Sequence, residues 1–532
     1  MTSVGPSPYL RKASGLVRNI SATDALICNM TFMGFLFASY ELTFGAGLYP
    51  GANLPLSFLL VVPASLVVAL TYALLTTAMP RTGGDYVFVG RIISPPLGFM
   101  VNFYFTMVLV TWVGSVVPLG TQYGIAGIFT GLGMIWNNPG LLSIGSVLSG
   151  YDVQSFIVSA VVILFCISVL FAGTRAVVRA AWALFILGLI GVIVYLAAIL
   201  SVGHDTIVAN FNALSGTTYD KVLSAASSSQ GYPQGFTLSG TMLGTVYIFL
   251  GSLGYTGSAY YAGEVRGVSR SQMIAIVGSV VIFALVVWPV YALTYWKFGG
   301  DFVNAVSYLA VIGDPSVSSL QAFPQLAYFT VFATQNPIAI AYVNLAVELV
   351  SIGSCGIVIP FIAVRNLFAW SYDRVMPAKL AQLDRRGNPI VAIIVVLIAS
   401  EVTNYLYYFT TAFRYLTYSM LGWFIATAIV SLAAAVFPFR RKDIFEGAPD
   451  ICKKKVGSIP VISILGVLAF IVSLAVAAST ISPAYAGTLT WEYVVAILAT
   501  LVAGPVIYYA AYYYQKEHGI PIELAHSQLP PE

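Results

Sequence analysis

The apolar positions of this chain form long unbroken runs rather than alternating stripes. A bilayer crossing needs about 20 mostly apolar residues. Runs of that kind lie at 24–50, 54–79, 97–130, 154–172, 176–202, 238–263, 272–297, 338–369, 389–409, 413–438, 459–481 and 490–514, and are numbered spans 1 to 12. Each is expected to be helical, because a backbone facing lipid must satisfy its own hydrogen bonds. A barrel would instead show short alternating segments. The pattern predicts an all-α polytopic membrane protein of about twelve transmembrane helices. Between the spans, residues 203–237 are rich in Ser, Gly and Thr, whereas 299–336 carry apolar clusters around Tyr308 and Phe323 that suit short helices on the outer face.

Composition agrees with a chain dissolved in lipid. Hydrophobic residues make up 59% and charged residues only 8%, against about 25% charged in soluble proteins. The few charges are sorted by side. With the N-terminus in the cytoplasm, 21 of the 24 Lys and Arg fall at inside positions, and only Lys221, Lys297 and Arg414 fall outside. Such a bias fixes orientation, so a multi-pass plasma-membrane protein with both termini cytoplasmic is expected. The net charge of +4 needs no nucleic-acid partner, because the basic residues sit at membrane edges. The division expected is a tail 1–23, a transport core 24–438, a basic linker 439–457, spans 11 and 12 within 458–514, and a tail 515–532. The linker's Arg440, Arg441, Lys442, Lys453, Lys454 and Lys455 serve as a stop signal or touch anionic headgroups. The polar N-terminal tail and the long first run do not fit a cleavable signal peptide.

Several chemistries are excluded. The three histidines, His204, His518 and His526, all lie outside the spans, which rules out a bis-His haem or a His-ligated copper site within the membrane. There is no G-x-x-x-x-G-K-[ST] phosphate loop, so an ATP-driven pump with its own nucleotide site is also excluded. Cys28, Cys166, Cys355 and Cys452 are far apart, without metal-ligand spacing, and read as buried small hydrophobes. No cofactor, metal or enzymatic role is expected. Gradient-driven transport, a channel or a scaffold remains.

Within span 6, three glycines and three hydroxyl residues crowd the stretch Phe249 to Ser258. Glycine weakens a helix interior by about 1 kcal/mol against Ala. Two readings follow: a close helix contact, or a helix break exposing backbone groups to a substrate at mid-membrane. Span 1 holds Asn29, Thr31, Gly34, Ser39, Tyr40 and Glu41, then Gly45-Ala46-Gly47. Such a polar run is costly against lipid and points to a cavity. Interruptions in spans 1 and 6 would match an inverted five-plus-five repeat. Among intramembrane carboxylates, Glu348 in span 8 suits a cation, a proton, or a protonated carboxyl bonded to a neighbouring helix. Glu401 and Arg414 suit a surface ion pair.

Three stretches resemble the amino acid–polyamine–organocation (APC) permease superfamily. Pro80-Arg81-Thr82-Gly83-Gly84-Asp85-Tyr86 resembles the family's P-x-x-G-G-x-Y loop, followed by Gly98-Phe99. Gly254-Tyr255 with Gly263-Glu264-Val265-Arg266 resembles the end of span 6, and Arg365-Asn366-Leu367-Phe368 with Asp373-Arg374 and Asn388-Pro389 resembles the loop after span 8. The resemblance covers about residues 20–440. It implies a LeuT-type fold with spans 1–5 and 6–10 as inverted repeats, plus two C-terminal helices, working by alternating access. By position it puts substrate contacts at Leu250, Gly251, Ser252, Leu253 and Gly254 in span 6 and at Met33, Gly34, Phe35, Leu36 and Phe37 in span 1. Gly45-Ala46-Gly47 looks more like the family's G-x-G-I motif but lies too near span 2 to be mid-membrane. Tyr104, Glu348 and Tyr415 complete the expected lining, and Ser351 and Ser354 stand where sodium-coupled relatives place hydroxyl ligands. The chain departs from the pattern at Gly267-Val268-Ser269, where Asn-Pro is usual, and at Phe185 to Leu189, which lacks the span 5 Lys of some proton-coupled members. The reading is a secondary transporter of amino acids or related amines, with sodium or a proton as coupling ion. A polyamine transporter or exchanger and a non-transporting sensor or scaffold are the alternatives.

Overall fold

The computed structural model describes residues 15–35, 38–385, 387–411, 419–481 and 491–520, with Ile522 and His526. Ten uninterrupted helices are long and apolar enough to cross a membrane among these residues. They are Leu54–Ala78, Pro95–Ile135, Val153–Ala172, Thr174–Leu200, Val268–Phe298, Pro337–Tyr372, Ile390–Phe409, Ser419–Arg440, Val461–Ile481 and Trp491–Glu517, which are spans 2–5 and 7–12. The only strands described are the two-residue pair Lys455–Val456 and Ile459–Pro460.

Spans 1 and 6 are interrupted helices, in the stretches where their glycines and polar residues gather. Span 1 is helical over Ala22–Met33 and again over Ala38–Leu48. Gly34 ends the first half in the left-handed conformation, φ 61°, which a side chain would strain. Span 6 is helical only over Leu238–Ser252. Beyond it Gly254 takes φ 120°, and short 3₁₀ turns follow at Gly257–Tyr260 and Ala262–Glu264.

Burial sorts the spans into a centre and a periphery. The most apolar stretch of span 8 is 89% buried and that of span 3 is 78%, against 22% for span 12. Spans 3 and 8, with the halves of spans 1 and 6, therefore form the inside. Spans 4, 5, 9, 11 and 12 present leucines and isoleucines outward, among them Leu164, Ile193, Ile398, Ile471 and Leu498. Small residues bring the last two spans close: Gly466 abuts the backbone of Ala435 on span 10, and Gly504 abuts Met100 on span 3. The stretch after span 10 holds a short helix, Lys442–Gly447, and its Cys452 thiol is buried against the Leu74 carbonyl.

Both long connections are helical. Residues 203–237 form His204–Leu214 and Tyr219–Ser228, and residues 299–336 form Gly300–Ile312 and Leu326–Ala333. The Gly300–Ile312 helix lies on the second half of span 1, where Gly47 leaves no room for a side chain beside Ser307.

Candidate functional site

The two interruptions meet. A Cβ added at Gly254 would lie 2.9 Å from the Met33 nitrogen and from the Phe32 ring, so this glycine lets the span 6 backbone press on the end of the first half of span 1. Asn29 fastens the crossing. Its amide nitrogen lies 2.7 Å from the Tyr255 carbonyl and 3.1 Å from the Ala275 carbonyl, and its oxygen accepts the Ser258 N–H at 2.8 Å. The irregular backbone after Ser252 is thus satisfied by a side chain of span 1, as a buried polar backbone requires.

A cavity opens beside this crossing. Phe32, Met33 and Gly34 of span 1 and Leu250, Gly251 and Leu253 of span 6 form one wall. Trp112 and Val116 of span 3 and Val350, Ser351, Ser354, Cys355 and Ile359 of span 8 form the other. Its volume is only about 40 Å³. The walls therefore lie close together. Span 8 widens here into a π-helical turn, Ile352–Val358, that carries Ser354 and Cys355. Such turns displace side chains from helical register and recur at functional sites.

Two hydroxyls tie span 8 into the site. Ser354 donates to the Phe32 carbonyl at 2.6 Å, occupying one of the acceptors left over at the end of a helix. Ser351 donates to the Val116 carbonyl of span 3 at 2.9 Å. Trp112 stacks on Trp423 of span 10 with ring centroids 5.2 Å apart and donates its indole N–H to Ser419.

Of the residues singled out in the sequence, Met33, Gly34, Leu250, Gly251, Leu253, Ser351 and Ser354 line this cavity. Gly254 lines a smaller adjoining space with Tyr72, Thr256 and Thr427. Ser252 bonds back to the Phe249 carbonyl. Phe35 turns toward span 5 and meets Phe185 edge-on at 5.4 Å. Tyr104 is buried over Gly422 and donates to the Ser419 carbonyl at 3.3 Å, outside the cavity. Glu348 is buried behind Gly120 and Gly124 of span 3 and does not line it either. Leu36, Phe37, Tyr415 and Arg414 lie outside the described residues. Phe32, Trp112, Val116, Val350, Cys355 and Ile359 join the lining without having been singled out. Val350, Ser351, Ser354 and Cys355 show the helical spacing of one face, which is the signal that marks them.

On the N-terminal side the site is closed by polar contacts. Arg365 of span 8 reaches both carboxylate oxygens of Glu264, Nη2 to Oε2 at 3.2 Å, and Thr174 donates to the same carboxylate at 2.7 Å. The Glu264 carbonyl accepts the N–H groups of Asn19 and Ile20, and Arg266 N–H returns to the Ile20 carbonyl at 2.9 Å. The strand-like segment before span 1 is thereby stitched to the end of span 6. Nearby, Tyr260 donates to Asp85 at 2.6 Å while stacking on Phe105 at 4.3 Å. Asp85 opens the short helix Asp85–Ile92 after span 2. Burial pushes its carboxyl up to about 7, against the opposing pull of the Tyr260 hydrogen bond.

A search of curated proteins finds no match to the chain. A family model described as amino acid permease matches residues 20–504. That range includes the loop of Gly83 and Gly84, both interrupted spans, the cavity between them, span 11 and the first half of span 12. The chain therefore belongs to the amino acid permease family of the APC superfamily, whose members transport amino acids or related substrates.

Proposed function

We propose that this protein is a secondary transporter that carries neutral amino acids with apolar side chains across the plasma membrane by alternating access. The observation that supports this reading is the convergence of two interrupted spans on a cavity whose described lining holds no charged side chain. The first halves of spans 1 and 6 both end there. Their last carbonyls supply the negative ends of two helix dipoles and suit an ammonium group. The second half of span 1 begins across the break, at Ala38. Its leading N–H groups suit a carboxylate.

With the two polar ends of the substrate held by backbone, its side chain would meet Trp112, Val116, Val350 and Ile359. Each buried methylene contributes about 0.8 kcal/mol, so this wall favours a branched or long aliphatic chain over Ala. Met33, Gly34, Leu250, Gly251 and Leu253 would complete the pocket. Ser351 and Ser354 donate their protons to carbonyls, which leaves their oxygens as acceptors. A polyamine would need carboxylates along the cavity. The buried position of Glu348 behind span 3 weighs against that reading.

Uptake by reconstituted protein tests the proposal. A panel of labelled amino acids and amines would be offered under a sodium gradient, a proton gradient, or internal substrate alone. Preferential uptake of Leu, Ile or Val over Lys and putrescine is expected. Equal or greater uptake of the cationic compounds, or no uptake of any compound by folded protein, would overturn it.

A further inference from the structure

Glu348 has no role in the cavity just described, and its surroundings are unusual. The side chain is 3% exposed, and neither carboxyl oxygen has a hydrogen-bond partner among the described residues. Span 3 accommodates it by lacking side chains. A Cβ at Gly120 would collide with Glu348 Oε2 and with Ser351, and one at Gly124 would press on the Glu348 backbone and Cβ at 2.8 and 2.9 Å. Span 3 is wound there as a π-helical turn, Thr121–Ile125. Two glycines and a distorted turn thus form a notch shaped around one carboxyl group. Ser351, three residues on, borders the same notch and lines the central cavity.

An ionised carboxylate alone in this notch would be a charge at bilayer depth without a counter-charge, at a cost of several kcal/mol. A hard cation would need several oxygen ligands. The notch offers glycine surfaces, and the Ser351 hydroxyl that borders it already donates to the Val116 carbonyl. Cys166 of span 4 and Tyr408 of span 9 are ionisable groups within electrostatic reach of Glu348. No described basic side chain forms an ion pair with it. A proton fits these surroundings, and a metal ion does not.

Beside the notch lies a buried hydroxyl network. Tyr408 Oη is 2.8 Å from Ser159 Oγ, which donates to Thr121 Oγ1 at 3.4 Å. Tyr407 donates to Gln122, and Gln122 donates to the Gly150 carbonyl at 3.1 Å. The network ends at the loop of Tyr151, which is 47% exposed. Two sets of polar contacts therefore lie between the neighbourhood of Glu348 and the loop that joins spans 3 and 4.

We infer that Glu348 is a proton-binding site beside the central cavity, through which substrate movement is coupled to a proton gradient. The coupling rests on the transporter reading, whereas the proton site does not. When the notch is exposed to water on one side, an arriving proton forms the O–H bond of the carboxylic acid. It leaves again when the notch is exposed to the other side.

The test has two arms on the full-length protein. Infrared difference spectra between acidic and alkaline buffer should show the carbonyl band of a protonated, desolvated carboxylic acid that disappears in Glu348→Gln and moves in Glu348→Asp. Asp85 gives a band of its own that neither substitution moves, so the site is overturned if no carboxylic-acid band responds to either substitution. Should Glu348→Gln fail to fold, Glu348→Asp alone decides this arm. In proteoliposomes, Glu348→Gln should lose at least tenfold of the accumulation driven by a pH gradient, and its remaining exchange should no longer vary with pH. Wild-type accumulation under a pH gradient that survives in Glu348→Gln would overturn the coupling, as would a wild type indifferent to that gradient. If no amino acid is transported at all, the transporter reading fails, and the infrared arm still decides the proton site.

Discussion

The Asn29 side-chain oxygen accepts the Ser258 backbone N–H at 2.8 Å, joining positions 229 residues apart. The same amide donates to the Tyr255 carbonyl, so one side chain of span 1 serves both a donor and an acceptor of interrupted span 6. Replacing Asn29 by Ala leaves these groups buried and unpaired, at about 1–3 kcal/mol for each. The expected outcome is a fall of several degrees in apparent melting temperature in detergent, with loss of uptake. An Asn29→Ala protein that melts and transports like the wild type would show that the crossing is held by packing alone.

Gly254 fills its position for two reasons, φ 120° and contact with the Met33 nitrogen. A methyl group there must push apart the backbones of spans 1 and 6, because neither neighbour is the free end of a side chain. Gly254→Ala is therefore expected to reduce uptake at least tenfold while the protein remains monodisperse. Gly254→Leu should be worse. Normal transport by either variant would remove the pressed crossing from the mechanism.

The twelve-span layout and the family were legible because lipid demands long apolar runs and because glycine motifs stand at fixed places along them. The interruption of span 1 was legible at Gly34 for the same reason. Polar residues that lipid would reject surround a residue able to adopt positive φ. The residues facing each cavity were less so. Tyr104 and Glu348 lie on central spans, yet each faces a neighbouring helix instead: Tyr104 packs over Gly422 of span 10, and Glu348 over Gly120 and Gly124 of span 3. Trp112 and Val116 carry no polar signal in an apolar helix, so only their spacing to a known neighbour could have marked them. The loss of α-helix after Ser252 was half legible. Its glycines allowed a break, but the 3₁₀ turns through Glu264 depend on Asn29 and Arg365, which are remote in sequence.

Asp85 gives stability a pH dependence of known sign. Its carboxyl is pushed up to about 7 by burial, from an ordinary value of 3.8. The folded state therefore holds a proton that the unfolded state releases. Its contribution is fully present below about pH 4 and is lost as pH rises toward and through about 7. Asp85→Asn mimics the protonated form at every pH. The difference in melting temperature between Asp85→Asn and wild type should be small at about pH 4 and should grow in favour of the variant up to about pH 8. Other titrating groups act on both proteins and cancel in the difference. A difference independent of pH would mean that Asp85 is ionised and satisfied throughout.

The pair of Arg365 and Glu264 closes the N-terminal side with both partners almost fully buried, at 3% and 2% side-chain exposure. Removing one partner of such a pair costs about 3–5 kcal/mol, because the other charge is left unpaired in a medium that solvates it poorly. Here the pair also shapes a backbone contact: the same Glu264 presents its carbonyl to the N–H groups of Asn19 and Ile20. Loss of the ion pair should therefore free the segment before span 1 as well as strain span 8. In Glu264→Gln, amide hydrogen exchange at Asn19 and Ile20 is expected to accelerate at least tenfold, while exchange within the Val461–Ile481 helix stays as in the wild type. Arg365→Ala should do the same through a different side chain, which separates the effect of the pair from that of either residue alone. Acceleration spread evenly over the whole protein would indicate general destabilisation instead, and unchanged exchange at Asn19 and Ile20 would show that the strand-like contact stands without the ion pair.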